Sequence, residues 1–148
     1  MAITFTNNWK KILDKLESVL RDEFKGSLKV YKGASANAGN QYLRLDPLGS
    51  ELIDYMSHAE TREFEIGISY HFRDANIKGA SLDHILRYVS RIEALIHDNM
   101  IMTLDKGSAA DNTQALNCRL DTCTLNQGEE NEYLVVWDFK CQHTGNLD

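Results

Sequence analysis

Proline, cysteine and long apolar segments are all rare in this chain of 148 residues. No apolar run approaches the roughly 20 residues that a membrane-spanning helix needs, so we predict no membrane partner. The start "MAITFTNNWKK" does not have the basic segment followed by an apolar one that marks a secretory signal. We therefore expect an intracellular product.

The three cysteines, Cys118, Cys123 and Cys141, do not have the spacing of a metal site. Zinc ligands usually include a pair about two to four residues apart, with a matching pair of cysteines or histidines elsewhere. An odd number of cysteines in an intracellular protein favours free thiols. We therefore predict structural or incidental cysteines and no metal.

Basic clusters are also scarce. The formal net charge is −6, and Lys10, Lys11 and Lys15 form the only dense group of cations, which neighbouring acids dilute. A protein that holds nucleic acid tightly needs a basic patch to neutralise phosphates, so we predict no tight nucleic-acid binding. An acidic surface can still line a passage through which nucleic acid slides without binding.

Two stretches have the three- and four-residue apolar spacing of amphipathic helices. The first runs from Asn7 to Phe24, and Gly26 just after it suits a left-handed stop. The second runs from about Ser81 to Asn99, and its apolar stripe consists of Leu82, Ile85, Leu86, Val89, Ile92 and Ile96. Each helix is apolar on one side only, so each has one face to bury.

Alternating apolar and polar residues predict the strands. "SLKVYKG" and "QYLRLDP" precede a long alternating stretch, "TREFEIGISYHFRD", and a hairpin of "ALNCRLDTCTLNQ" and "NEYLVVWDFKCQH" closes the chain. The order is helix, three strands, helix, two strands. It predicts one α+β domain over residues 1–148, in which two amphipathic helices pack on one face of a mainly antiparallel sheet.

The connections are less regular. Pro47 has no backbone N–H, so we expect its strand to stop there or to lie at an edge. The segment Leu48–Glu60 fits either a helical turn or two, or a long loop. Small, polar and glycine-containing residues predict flexible loops at Gly33–Asn40 and Asp105–Asn112.

The long alternating stretch contains the first candidate site residues. Its even positions from 64 to 72 are apolar, and its odd positions place Glu63, Glu65, His71 and Arg73 on the opposite face. Two carboxylates, an imidazole and a guanidinium on one face fit a catalytic surface. They fit equally well the solvated side of a strand, or a seam between copies of the chain.

The closing hairpin contributes the other candidates. Leu134 and Val136 share a strand face with Asp138 and Lys140, which makes that face more apolar than a solvated one and indicates contact with a partner. We favour a four-residue hairpin loop that pairs Arg119 with Asp138. The alternative two-residue turn would set two aspartates directly opposite each other, which destabilises a strand pair.

No motif of catalysis, cofactor binding or metal binding is present. Glu63 and Glu65 lie about 7 Å apart on one side of a strand, which is compatible with acid–base chemistry, but exposed acids are the norm. Among the five histidines, only His71 with Asp74 comes near a metal site, and it has no ligand spacing. We predict no enzyme, no cofactor and no metal.

Four segments and the amphipathic first helix carry a family resemblance over nearly the full chain: "QYLRLDP", "REFEIGISYHFR", "SLDHILRYVSRIEALIHDN" and "EYLVVWDFKCQH". In this order they resemble the tail terminator (tail completion) proteins of tailed bacteriophages. The resemblance rests on the order and texture of the elements, and related head–tail connector proteins have similar layouts.

The resemblance implies a virion structural protein, located at the head–tail junction of the tail and assembled in the host cytoplasm. It implies a hexameric ring of identical copies that caps the tail tube and joins the tail to the head. The partners would be the tail tube protein and the head–tail connector protein, and DNA would pass through the channel without specific binding. The long strand and the closing hairpin would face the ring, so the polar face becomes a seam or a channel wall.

Two other interpretations stay open at this point. One is another virion part, either a head–tail connector or a tail-tube component. The other is a small α+β enzyme or ligand-binding domain, which would require Glu65, His71 and Arg73 to converge in a pocket.

Overall fold

The computed structural model describes residues 7–33, 41–55, 57, 59–73, 79–104, 114–127 and 132–146. These residues form, in chain order, α1 (Asn8–Phe24), β1 (Lys29–Lys32), β2 (Gln41–Tyr55), β3 (Ala59–Arg73), α2 (Gly79–Asp98), β4 (Met102–Thr103), β5 (Gln114–Gln127) and β6 (Glu132–Asn146). The predicted loops lie outside this set apart from Gly33, and so does Asp74. Their interpretation stays a prediction.

The strands form one sheet in the order β1-β2-β3-β6-β5-β4. The β1–β2 pair is parallel, and the other four pairs are antiparallel. Both helices bury their apolar stripes against the same face of this sheet. The predicted fold class, α+β with two helices on one face of a mainly antiparallel sheet, is confirmed.

Helix α1 follows its sequence pattern closely. The Asn7 side chain accepts a hydrogen bond from the Lys10 backbone N–H at 3.1 Å and caps the first turn. The helix ends with Lys25 at φ 46° and Gly26 at φ 89°, both in the left-handed region that the glycine was expected to supply. Four residues at successive turns face the core: Ile12, Leu16, Leu20 and Phe24.

Helix α2 begins at Gly79, two residues before the predicted start at Ser81. Its buried stripe is narrower than predicted, consisting of Ile85, Val89, Ile92 and Ile96. Leu82 and Leu86 were placed in that stripe, but they are 40% and 41% exposed. They lie on the flank of the helix, where the sheet does not reach them.

The core fills the space between the helices and one sheet face. On β3 the even positions from Phe64 to Tyr70 are 0–4% exposed, and on β6 the odd positions from Val135 to Cys141 are fully buried. Trp137 is the largest of these side chains, and its indole N–H donates to a carboxylate oxygen of Glu93 at 3.2 Å. The alternation of both strands therefore predicted the buried face correctly.

Strand β2 does not stop at Pro47, and the second of the two predicted outcomes, a position at an edge, is the one that occurs. It continues to Tyr55 and pairs with β3 as far as Glu60, with register shifts between Pro47 and Gly49 and between Leu52 and Asp54. Proline is tolerated because β1 covers only the stretch from Tyr42 to Leu45, so β2 is an edge strand beyond it. The segment from Leu48 to Tyr55 is therefore neither a loop nor a helix.

The hairpin register also differs from the prediction. Arg119 pairs with Lys140 and not with Asp138, because β5 has register shifts between Leu116 and Arg119 and between Leu120 and Thr122. The second shift removes Asp121 from direct opposition to Asp138, since Thr122 takes that place. The bulges therefore solve the like-charge problem that the predicted register was chosen to avoid.

Candidate functional site

All six predicted site residues lie on the sheet face that points away from the two helices, which we call the open face. Side chains alternate across a strand, and the buried positions of β3 and β6 face the helices. The open face therefore receives the other positions: Glu63, Glu65, His71 and Arg73 from β3, and Leu134 and Val136 from β6. Arg73 is exposed and the other five side chains are partly buried, although neither described helix covers them.

The structure brings these residues together as two groups rather than one. The pairing register places Leu134 opposite His71, Val136 opposite Ser69, and Lys140 opposite Glu65. Glu65 and His71 are six positions apart along β3, so they lie about 20 Å apart at the rise of an extended strand. The convergence of Glu65, His71 and Arg73 that an active site would require does not occur.

The first group is a charge network centred on Glu63. One oxygen of its carboxylate accepts from Arg119 at 3.2 Å and from the amide of Gln142 at 3.3 Å. Arg119 also donates to Asp121 at 2.8 Å, and Asp121 lies 3.3 Å from the ammonium group of Lys140. Three strands, β3, β6 and β5, are therefore tied together across the open face.

Glu65 and Asp138 are the strained part of this network. Loss of hydration, and then the neighbouring Asp138 carboxyl, raise the pKa of Glu65 above its ordinary value, although Lys140 opposes the shift. One carboxylate oxygen of Asp138 is buried and has no hydrogen-bond partner among the described residues. Two acids therefore compete for the nearby cation, Lys140.

The second group is less charged and more apolar. The His71 ring stacks on Tyr42 with centroids 4.4 Å apart and planes within 9°. Burial lowers the pKa of His71, and the positive charge of Arg44 lowers it further. Leu134 and Val136 lie beside this stack on the next strand. Arg73, at the end of β3, forms an exposed ion pair with Glu132 at 3.5 Å.

The sequence did not reveal that β2 has a long edge beyond Leu45 with which no described strand pairs. Every residue from Pro47 to Tyr55 is exposed, and this segment includes four large apolar side chains, Leu48, Leu52, Ile53 and Tyr55, that are 45–65% exposed. The one available signal was the length of β3, because a strand of 15 residues needs a partner of similar reach. A bare edge of this kind offers unpaired N–H and C=O groups to another strand.

Strand β5 has a second uncovered edge at the opposite end of the sheet. The short β4 pairs only with Gln114 and Ala115, and all residues from Asp121 to Gln127 are exposed. Leu125, in the middle of this segment, is 48% exposed. Among the described residues, the sheet therefore has two edges without a neighbouring strand, which we call the bare edges, on opposite sides and at opposite ends.

A cavity of about 360 Å³ lies between α2 and β5 and is lined by, among others, Glu93, Cys118, Cys123 and Trp137. Cys123 is exposed overall, but partial loss of hydration at the cavity wall, together with the nearby Glu93, raises the pKa of its thiol to about 11, so this thiol is a poor nucleophile at neutral pH. Within the described ranges, no three His, Cys, Asp or Glu side chains are grouped so that they could hold a metal ion. None of the described helices is long and apolar enough to span a membrane.

Comparison with known proteins adds evidence on the fold. No family model matches this chain, and no curated protein matches it. A solved structure of the virion of a native gene transfer agent particle contains a similar chain, with a TM-score of 0.60 and 12% identity over 90% of this chain and 97% of that one. A second solved structure matches with a TM-score of 0.57 and 14% identity, over 93% of this chain and 95% of the other. At such low identity these similarities show a shared fold, and the tail terminator role stays a prediction.

Proposed function

We propose that this chain is a structural component of a phage-like virion, where its copies form a ring that caps the tail tube and joins the tail to the head. The observation that carries the proposal is the similarity to a chain of a gene transfer agent virion, which extends over 97% of that chain. The order of helices and strands independently resembles tail terminator proteins. The virion component is the broader proposal, and the terminator role and hexameric ring are the narrower ones.

The two bare edges support ring formation. Within the sheet, β2 and β5 run in opposite directions, because three antiparallel pairings separate them. A neighbouring copy placed by rotation would therefore pair its β5 edge antiparallel to the β2 edge of the first. Two different surfaces that meet in this head-to-tail way generate a ring when the rotation closes.

The positions of the edges also favour closure. The bare part of β2 lies near the β2–β3 turn, whereas the bare part of β5 lies near the β5–β6 turn. If the two edges pair, each copy is displaced along the strand direction relative to the copy before it in the ring. Such a stagger tilts the strands against the ring axis, as a closed sheet requires.

The open face suits a channel wall. In the first group, four carboxylates surround two cations, Arg119 and Lys140, so the local charge is negative. Such a surface repels phosphates and lets DNA pass without specific binding. The partners in this proposal are further copies of the chain, the tail tube protein and the head–tail connector protein. The two groups on the open face do not converge, which supports a structural role over an enzymatic one. The proposed structural role requires no cofactor.

Lysine substitutions at the two edges test the ring. Leu52→Lys on β2 and Leu125→Lys on β5 place a charge in the proposed seam, and each should weaken assembly about tenfold or more, because an unpaired buried charge is costly. Leu82→Lys is the matched control, since Leu82 is also an exposed leucine, 40% exposed, but lies on α2. Native mass spectrometry and negative-stain imaging, with and without tail tubes, would count the rings and the capped tube ends.

The outcomes separate the proposals. Rings or capped tubes for the wild type and the Leu82 variant, but not for the edge variants, would support ring formation through the two edges. Indefinite tubes would identify a tube subunit instead of a terminator. Equal assembly of all four proteins would overturn the edge pairing, and a wild type that neither forms rings nor binds tube ends would overturn the terminator role.

A further inference from the structure

Two cysteines that are distant in sequence lie side by side in the core. The pairs Leu116–Gln142 and Arg119–Lys140 flank a bulge in β5, so Cys118 is placed next to Cys141 of β6. Asn117 has φ 54°, a left-handed conformation that accommodates the extra residue of the bulge. Both thiols are free and lie on the helix-facing side, with exposed fractions of 1% and 0%.

The two thiol groups interact directly. A hydrogen bond between them lowers the pKa of Cys118 and raises that of Cys141, and the positive charge of Arg119 also favours the thiolate of Cys118. Cross-strand neighbours have Cα atoms about 4.5–5.5 Å apart, which is within the range that a disulfide spans. The register on both sides of the bulge and the contact between the thiols therefore place the two sulfur atoms within reach of each other.

A small oxidant has a route to one of them. Cys118 lines the cavity of about 360 Å³ between α2 and β5, whereas Cys141 does not. The cavity borders the bare edge of β5, where β6 is the one neighbour of β5 among the described strands beyond Ala115. The two cysteines thus differ in position, since both are buried but only Cys118 contributes to the wall of the cavity.

We propose that Cys118 and Cys141 form a redox-active pair, which closes into a cross-strand disulfide when the protein meets an oxidising environment and fastens β5 to β6. The chemistry depends only on the geometry of the pair. The exposure of the pair to oxidising conditions rests on the proposed function, because a virion component leaves the reducing cytoplasm when the particle is released.

The exchange is balanced with a small organic disulfide such as oxidised glutathione. The Cys118 thiolate attacks one sulfur of the oxidant, which forms a mixed disulfide and releases one small thiolate. Cys141 then gives up its proton and attacks the sulfur of Cys118, which releases the second small thiolate. The protein loses two protons and two electrons, and the oxidant becomes two thiols.

The test uses the full chain with Cys123→Ser, so that only the pair remains. The protein is equilibrated in buffers of increasing oxidised-to-reduced glutathione ratio, quenched with acid, denatured and treated with a thiol-alkylating reagent. Intact mass should change from two labels to none, with the loss of two hydrogens, and dithiothreitol should reverse it. Two labels at every ratio, or a glutathione adduct that never resolves, would overturn the proposal.

Peptide mapping of the wild type identifies the linked cysteines without any substitution. Trypsin cleavage after Lys106, Arg119 and Lys140 places the three cysteines in separate peptides. Oxidation should link peptide 107–119 to peptide 141–148 and leave Cys123 alkylated. A link that involves Cys123, the other thiol of the cavity, would overturn the assignment.

Two further measurements separate the roles of the cysteines. Cys141→Ala should trap a stable glutathione adduct on Cys118, whereas Cys118→Ala should leave Cys141 unmodified in the folded protein. The oxidised wild type should unfold about 5–10 °C higher than the reduced protein, because the cross-link restricts the unfolded chain. An unchanged or lower melting temperature after complete oxidation would show that the bond strains the sheet, and would overturn its role as a fastening.

Discussion

The two faces of the sheet are held by different forces. On the helix-facing side, Ile66 and Ile68 are completely buried against α1 and α2. On the open face, Glu63 and Ser69, on the same strand, remain in partial contact with solvent. One face is therefore held by exclusion of water and the other by a network of charges.

The energies of these forces differ by several-fold. Burial of an isoleucine side chain contributes about 1.5–3 kcal/mol. An ion pair with partial solvent access contributes about 0–1 kcal/mol, and Arg119, with a side chain 34% exposed, belongs to this class. The helix-facing side should thus decide whether the chain folds. The open face is left to serve contacts outside the monomer.

Neighbouring residues of β3 test this comparison most severely. Ile68→Ala removes a completely buried side chain and should lower the free energy of unfolding by about 2–4 kcal/mol, because a cavity remains. Ser69→Ala, one position along on the open face, should change it by less than about 0.5 kcal/mol. Urea unfolding at equilibrium measures both, and similar losses for the two variants would contradict the division between faces.

The same division explains what sequence periodicity could predict. Helix α1, the buried stripe of α2 and the buried positions of β3 follow from local patterns, because each element has to bury one side. The prediction of His71 and Glu65 on a common face was also correct, since alternation fixes it. The separation of Glu65 and His71 into two groups follows from the rise per residue of an extended strand, because six positions span about 20 Å.

The parts that periodicity missed depend on contacts between distant segments. Leu48–Tyr55 became a strand because β3 offered a partner, and no alternation in the segment itself revealed it. Pro47 lies inside a strand only because β1 ends early on that side. The hairpin register depends on bulges at Asn117 and Asp121, and a bulge has no clear sequence pattern when the residue is not glycine.

Charge reversal on the open face tests its role in assembly. The double variant Glu63→Lys and Glu65→Lys breaks the bond to Arg119 and makes the channel wall basic, so ring assembly or joining to tails should fall about tenfold. The matched control, Asp22→Lys with Asp98→Lys, makes the same change of charge at exposed positions on the two helices. Native mass spectrometry counts the rings, and urea unfolding confirms that both proteins fold. Normal assembly of the first variant would argue against a seam or channel wall on this face.

The smallest expected effect separates the two glutamates of the network. Glu63 accepts two hydrogen bonds, so Glu63→Gln should lower the melting temperature at pH 7 by about 1–3 °C. The pKa of Glu65 is raised from 4.5, so the folded protein holds that proton more tightly than the unfolded chain does. Its contribution favours the folded state below about pH 4.5 and is lost as the pH rises through the raised value. Glu65→Gln should therefore match the wild type at pH 4 and melt higher at pH 7, and a difference that stays constant between these pH values would show that the surroundings of Glu65 do not raise its pKa.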